Sequence, residues 1–136
     1  MYYVCTSCGS RFNKIEKPVW LCRCGKPLSV RYSWEQNKDY FHVNMQEESL
    51  WRYEAVLPKV EQRVSLGEGF TPLVPISENV FVKNETVNPT GSFKDRGMSL
   101  AITMAKEQKV ETICLPSAGN AGVSAAAYCK SAKINC

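Results

Sequence analysis

The run Asn88-Pro89-Thr90-Gly91-Ser92-Phe93-Lys94-Asp95-Arg96-Gly97 places an amine where a structural lysine is poorly suited. Asn-Pro and Thr-Gly signal turns, and Ser92 then reads as a helix N-cap with Asp95 three positions on, a variant of the capping box. Lys94 therefore falls in the first turn of a predicted helix, where unsatisfied N–H groups and the macrodipole disfavour a cation. That position suits an amine whose work is to attack a carbonyl and form a Schiff base. The plainer alternative is a solvated lysine at a helix start.

A second stretch, Ser117-Ala118-Gly119-Asn120-Ala121-Gly122, has the residue types of an anion cradle. Small residues let the backbone turn sharply between a predicted strand and a helix and aim N–H groups outward. Asn120 and Ser117 can both donate to a phenolate or a carboxylate. Taken alone, the run is equally readable as a plain strand-to-helix turn.

Cys5-Thr6-Ser7-Cys8-Gly9 and Cys22-Arg23-Cys24-Gly25 form the third chemical cluster. Each pair precedes a glycine, which permits the tight knuckle that turns two sulfurs toward one ion. Four thiolates suit tetrahedral Zn²⁺ and leave no open position for substrate, so a metal here would be structural. Four reduced, metal-free thiols are the alternative. Cys114, Cys129 and Cys136 are scattered and read as small buried hydrophobes or incidental thiols.

The elements that must position these residues follow from pattern. Residues 1–32 read as a zinc-ribbon-like module, with short strands expected at Val19-Trp20-Leu21 and Leu28–Tyr32. Residues 33–65 read as a partly helical connector around Gln46–Tyr53, stopped by Pro58, with Trp51 and Tyr53 as packing anchors. From residue 66 the order is a Gly67–Leu73 loop, a strand at Val80–Lys83, and a helix of about 17 residues ending at Gln108. Leu100, Ala101, Met104 and Ala105 mark that helix's expected apolar face. A strand at Thr112–Leu115, a small-residue helix from Val123 to about Lys130 and a strand opening at Ile134 complete the order of a parallel α/β sheet. A sheet cut off as a strand begins reads as an incomplete catalytic domain over residues 66–136.

Composition narrows the class. Of the 136 residues 44% are hydrophobic and 22% charged, ordinary for a globular protein. The apolar runs are too short to span a bilayer, and Met1–Cys5 lacks the form of a signal peptide, so cytoplasm is the expected location and no membrane is expected as a partner. The net charge of +4 resides in the first 31 residues, which alone carry +5. A basic zinc ribbon that contacts nucleic acid is thus an alternative function, but it leaves Asn88–Gly97 and Ser117–Gly122 unexplained.

The Asn88–Gly97 run resembles the cofactor-lysine motif of the fold-type II pyridoxal-phosphate enzymes. The cysteine-rich head, Leu50-Trp51-Arg52-Tyr53, Leu66–Leu73 and Lys83-Asn84-Glu85 narrow the resemblance to the threonine synthase family. The resemblance implies a lyase in amino-acid biosynthesis, converting O-phosphohomoserine and water to threonine and phosphate. Lys94 would hold pyridoxal phosphate and shuttle protons, Asn120 would bond the cofactor's ring oxygen, and the loop of Ser117, Gly119 and Asn120 would receive the substrate carboxylate. A homodimer is implied for the full-length form. The family's glycine-rich phosphate loop has no counterpart here, so a partial form with little activity by itself is expected. A related enzyme of the same fold, such as a cysteate synthase, is the nearest alternative.

Overall fold

The structure, a computed structural model, describes residues 1–13, 21–32 and 42–136. These residues fall into two compact units, Met1–His42 and Val43–Cys136. No helix among them is long and apolar enough to cross a membrane.

In the first unit, β1 (Tyr2–Cys5) is the middle strand of a three-stranded antiparallel sheet, between β2 (Arg11–Phe12) and β3 (Leu28–Arg31). Tyr3 lies opposite Phe12 on one side and Val30 on the other. The Arg11 guanidinium carbon sits 3.8 Å from the centroid of the Tyr2 ring, a cross-strand cation–π contact. β3 realises the strand expected at Leu28–Tyr32 but ends at Arg31. Of the strand expected at Val19-Trp20-Leu21, Val19 and Trp20 lie outside the described residues, and Leu21 makes an isolated bridge to Pro27. Residues 33–41 of the expected connector also lie outside them.

The second unit begins around Trp51. Ser49 caps a 3₁₀ helix over Leu50–Val56, its Oγ accepting the Trp51 N–H at 3.1 Å. Trp51 is 2% exposed, and its indole N–H donates to Ser99 Oγ at 3.1 Å. Tyr53, expected to pack beside it, is exposed instead. A 3₁₀ turn carries side chains 51 and 53 to different sides, so one anchor is buried at the expense of the other.

β4 (Leu73–Ser77) and β5 (Val80–Lys83) form an antiparallel hairpin with an irregularity between Pro75 and Ser77. β4 was legible only as the end of a loop, because Pro75 argues against a central strand; here it occupies a two-stranded hairpin that tolerates the missing donor. α1 (Lys94–Glu107) has 14 residues, shorter than expected, and α2 (Asn120–Ala132) begins earlier than expected. A left-handed Lys133 ends α2, and the Ile134 N–H returns to Cys129 O at 2.9 Å. Ile113 N then bonds Asn135 O and Asn135 N bonds Glu111 O, a single isolated parallel bridge between Thr112 and Asn135. The expectation of a parallel sheet is corrected: among the described residues no strand forms at Thr112–Leu115 or Ile134, and Val80–Lys83 pairs antiparallel with β4.

The two helices pack through faces of small and polar residues. α1 buries Asp95, Ser99, Ile102 and Thr103, while α2 buries Ser124, Ala125, Tyr128, Cys129 and Ala132. The expected α1 face is corrected: Ala101 is exposed, and Leu100, Met104 and Ala105 are only partly covered. Apolar periodicity misses the true face because its hydroxyls are consumed by a distant segment. Ser99 Oγ donates to Val64 O at 2.8 Å, and Val64 N donates to Thr103 Oγ1 at 2.9 Å. Val64 thereby joins Ile102, Tyr128, Cys129, Ala132 and Ile134 in the core. Of the late cysteines Cys129 is buried, its thiol pushed up to about 11 by burial, whereas Cys114 and Cys136 are exposed.

Candidate active site

Lys94 is the first residue of α1. The N-cap of α1 is Phe93, with no side-chain cap bond, and not Ser92 as expected; Ser92 Oγ accepts the Lys94 N–H at 3.3 Å. The capping box does not form. Asp95 turns away from the Ser92 backbone to accept the Thr90 N–H at 2.6 Å, the Thr90 hydroxyl, and the Ser124 hydroxyl of α2 at 2.5 Å. Asp95 is fully buried, and three donors compensate its desolvation better than one N-cap amide would. Its charge also lies in the first turn of α1, where the helix dipole favours an anion.

This carboxylate brings the two motifs together. Ser124 is one helical turn beyond Asn120, and Asp95 adjoins Lys94, so the Asp95–Ser124 bond sets the N-terminal ends of α1 and α2 side by side. The Lys94 ammonium nitrogen is 4.5 Å from the Phe93 ring centroid and pairs with no carboxylate among the described residues. Asn120 is exposed, and its amide makes no side-chain hydrogen bond among them. Ser117 is differently employed: its Oγ accepts the N–H groups of Gly119 at 3.3 Å and Gly122 at 3.0 Å. Gly119 supplies the N-cap position without a side-chain bond; the Asn120 and Ala121 N–H groups that open α2 have no acceptor among the described residues, while that of Gly122 goes to Ser117 Oγ.

The loop before this site is held by residues that sequence reasoning passed over. Glu68 is fully buried and accepts the Leu66 N–H at 2.9 Å and the Tyr128 hydroxyl at 2.8 Å. Burial, then the Glu68 carboxylate, raises the Tyr128 phenol above its ordinary value, so it remains a donor. Gly69 follows with φ 97°, and a Cβ there would lie 2.7 Å from the Leu50 backbone N. Only glycine fits that approach. Gly69 N donates to Asn88 Oδ1 at 2.9 Å, tying this loop to the start of the lysine run.

Arg96 completes the frame. Its guanidinium makes a bidentate pair with Glu85 at 2.7 and 2.8 Å, and Nη2 also donates to Thr71 Oγ1 at 3.0 Å. The Arg96 hydrogen bonds, opposed by burial and joined by donors from Thr71 and Asn88, hold the Glu85 carboxyl at about 2, well below its ordinary 4.5. Because the folded value is depressed, the unfolded chain takes up this proton first as the pH falls. The stabilisation is therefore complete above about 4.5 and lost between there and about 2. Thermal melts of the protein and of Glu85→Gln should accordingly differ most near neutrality and converge across that window. A constant difference from neutral pH down to about 2 would refute this account. Glu68, Glu85, Asp95 and Arg96 all sit inside the quoted motifs, but which acid meets which donor is a property of the fold.

In the other unit the four cysteines of the sequence cluster converge, their sulfurs all within 4.8 Å of one another. Cys5 Sγ is 3.5 Å from Cys24 Sγ, and Cys8 Sγ is 3.6 Å from Cys22 Sγ. Gly9 and Gly25 have φ of 71° and 78°, as the knuckle reading required. Cys5 Sγ also accepts the N–H groups of Ser7 and Cys8, both at 3.4 Å, as a thiolate in such a knuckle does.

Comparison with known proteins agrees with this geometry. The family model described as "Pyridoxal-phosphate dependent enzyme" matches residues 64–136. The chain is 38% identical over 137 residues to a threonine synthase of Methanocaldococcus jannaschii, covering 91% of this chain and 34% of that protein. It is 33% identical over 138 residues to the threonine synthase of Methanosarcina acetivorans, covering 94% and 34%. With that of Halalkalibacterium halodurans it shares 43% over 102 residues, covering 65% and 29%. The chain spans about a third of the length of these relatives. The matched segment starts at Val64, the residue that Ser99 and Thr103 draw into the core, and runs through both helix N-termini; this chain belongs to the family of pyridoxal-phosphate dependent enzymes.

Proposed function

We propose that this chain carries the cofactor-lysine portion of a threonine synthase, a lyase that converts O-phosphohomoserine and water to threonine and phosphate. The observation that carries the reading is the Asp95–Ser124 bond, which sets an amine and an amide, both unpaired among the described residues, at adjacent helix N-termini. These residues fit pyridoxal phosphate: among the described residues Lys94 has no competing carboxylate and the Asn120 amide has no partner, and the Asn120 and Ala121 N–H groups at the start of α2 suit an anion. When bound, the cofactor supplies the electron sink for carbanion chemistry at the substrate.

The chain's own residues then have distinct tasks. Lys94 anchors the cofactor and moves a proton at the substrate carbon. Asn120 donates to the cofactor's ring oxygen. The loop of Ser117, Gly119 and Asn120 receives the substrate carboxylate with the Asn120 backbone N–H as its donor, and Ser117 holds that loop by accepting the Gly119 and Gly122 N–H groups. We place the full protein in the cytoplasm as a homodimer, by analogy with the resemblance.

The reading is tested by incubating the protein with pyridoxal phosphate, reducing with borohydride and mapping the modified lysine by mass spectrometry. Capture at Lys94 with Lys83, Lys106 and Lys109 unlabelled is expected. Indiscriminate labelling would reject an organised site. Phosphate release from O-phosphohomoserine then tests the substrate, with little turnover expected of the 136 residues alone.

We also infer that Cys5, Cys8, Cys22 and Cys24 hold one structural Zn²⁺. With Zn–S bonds of about 2.3 Å, tetrahedral geometry requires sulfurs about 3.8 Å apart, close to the observed pairs. Zinc analysis should return one ion per chain. Such small sites commonly draw about 10–16 kcal/mol from the metal. Chelation should therefore unfold the Met1–His42 sheet and leave the Val64–Ile134 core intact. A head whose fold is indifferent to chelator would refute the metal.

A further inference from the structure

Arg52 is buried, with 8% exposure, yet no carboxylate among the described residues pairs with it. Its guanidinium carbon lies 4.4 Å from the Phe70 ring centroid and 5.8 Å from that of Tyr53. Nη2 reaches Met45 Sδ, a weak acceptor, at 3.7 Å. Nε is buried and has no hydrogen-bond partner among the described residues. Aromatic rings satisfy the faces of a guanidinium, but its N–H groups point outward from the edge and need acceptors. A cation held in this way is unsatisfied, and buried charges are ordinarily paired.

Arg52 lines a cleft of about 450 Å³ together with Tyr53, Phe70, Thr71, Lys83 and Arg96. The charges in its wall do not balance. Glu85 neutralises Arg96 through the bidentate pair. Lys83 donates to the Thr71 carbonyl, a neutral acceptor, and has no carboxylate partner among the described residues. Arg52 and Lys83 thus leave two positive charges at one concave surface. Neither Lys94 nor Ser117 nor Asn120 contributes to that wall.

We propose that this cleft binds a phosphate dianion, either inorganic phosphate or the phosphoryl group of a small monoester. Arg52 supplies the planar fork that matches two phosphate oxygens, with Phe70 and Tyr53 holding its plane, and Lys83 supplies the second charge. The Thr71 hydroxyl is already engaged by Glu85 and Arg96, which keeps that wall rigid. The proposal is independent of the cofactor reading of Lys94.

The test is a titration of the full chain with inorganic phosphate, without pyridoxal phosphate and at constant ionic strength, following the backbone amide signals of Tyr53, Phe70 and Thr71 by ¹⁵N NMR, joined by Arg52 Nε–H wherever Arg52 is present. A saturable shift in the roughly millimolar range is expected. Arg52→Lys should weaken binding by about tenfold or more, because an ammonium keeps the charge and loses the fork. Should Arg52→Lys fail to fold, Lys83→Met at the exposed side of the cleft carries the test, with weaker phosphate binding and an unchanged fold by circular dichroism. A parallel titration with O-phosphoserine distinguishes the sources: tighter binding identifies a monoester as the ligand, equal binding identifies free phosphate. No saturable shift, a shift reproduced by chloride, or binding unaffected by the variants would overturn the proposal. Borohydride capture at Lys94 is read separately, so either result can fail without the other.

Discussion

Lys94→Arg should abolish borohydride-dependent capture of pyridoxal phosphate, a loss of at least ~100-fold against the unsubstituted protein. Arginine retains the positive charge and most of the apolar stem that lies against Phe93. It cannot give up its proton to become a nucleophile. The substitution thereby separates the charge of Lys94 from its chemistry. Lys94 is only partly covered and makes no ion pair among the described residues, so the melting transition should move by less than ~0.5 kcal/mol equivalent. The measurement is labelled-peptide intensity at position 94, with a melting curve on the same preparation. Persistent cofactor incorporation, moved to Lys83 or Lys106 with undiminished yield, would refute the assignment of Lys94.

Asp95→Ala should destabilise the Val43–Cys136 unit by about 3–5 kcal/mol. The side chain is fully buried and accepts from Thr90 N, Thr90 Oγ1 and Ser124 Oγ. Alanine would strand all three donors and leave a cavity at the helix contact. Asp95→Asn is informative because it keeps the volume. One amide oxygen still accepts, but its NH₂ faces a donor, so a loss of roughly half as much is expected. The positioning role has its own readout. In Asp95→Asn, under conditions where the unit remains folded, capture at Lys94 should slow, because the first turn of α1 is no longer fixed against α2. A folded Asp95→Asn that captures the cofactor at the original rate would reduce Asp95 to a purely structural residue. Denaturant unfolding followed through Trp51, buried against Ser99, reports the stability change directly.

The contrast between Ser92 and Asp95 marks where sequence reasoning stops. Ser, three positions, then an acid is a local code, but Ser92 Oγ takes the Lys94 N–H and the N-cap falls at Phe93. Asp95 obeys a different demand. Ser124 lies 29 residues away and offers a buried hydroxyl, and a fully desolvated carboxylate gains more from three donors than from one local amide. The α1 face was misjudged for a related reason. Hydrophobic periodicity weighs Leu100 and Met104 above Ser99 and Thr103, but it cannot know that Val64 will deliver a carbonyl and an N–H to those hydroxyls.

The sequence by itself determined everything that depends on residue type at short spacing. The amine of Lys94 at a helix start, the knuckles of Cys5–Gly9 and Cys22–Gly25, the turn at Ser117–Gly122 that opens α2 and the order of the two helices are all local. Propensity, turn chemistry and periodicity act over a few residues, so they can be read there. Only the tertiary structure decided the pairings. Glu68 with Tyr128, Asp95 with Ser124 and Glu85 with Arg96 are separated by 60, 29 and 11 residues. Each is selected because a buried charge or hydroxyl must find its partner once the chain has compacted, wherever in the sequence that partner lies.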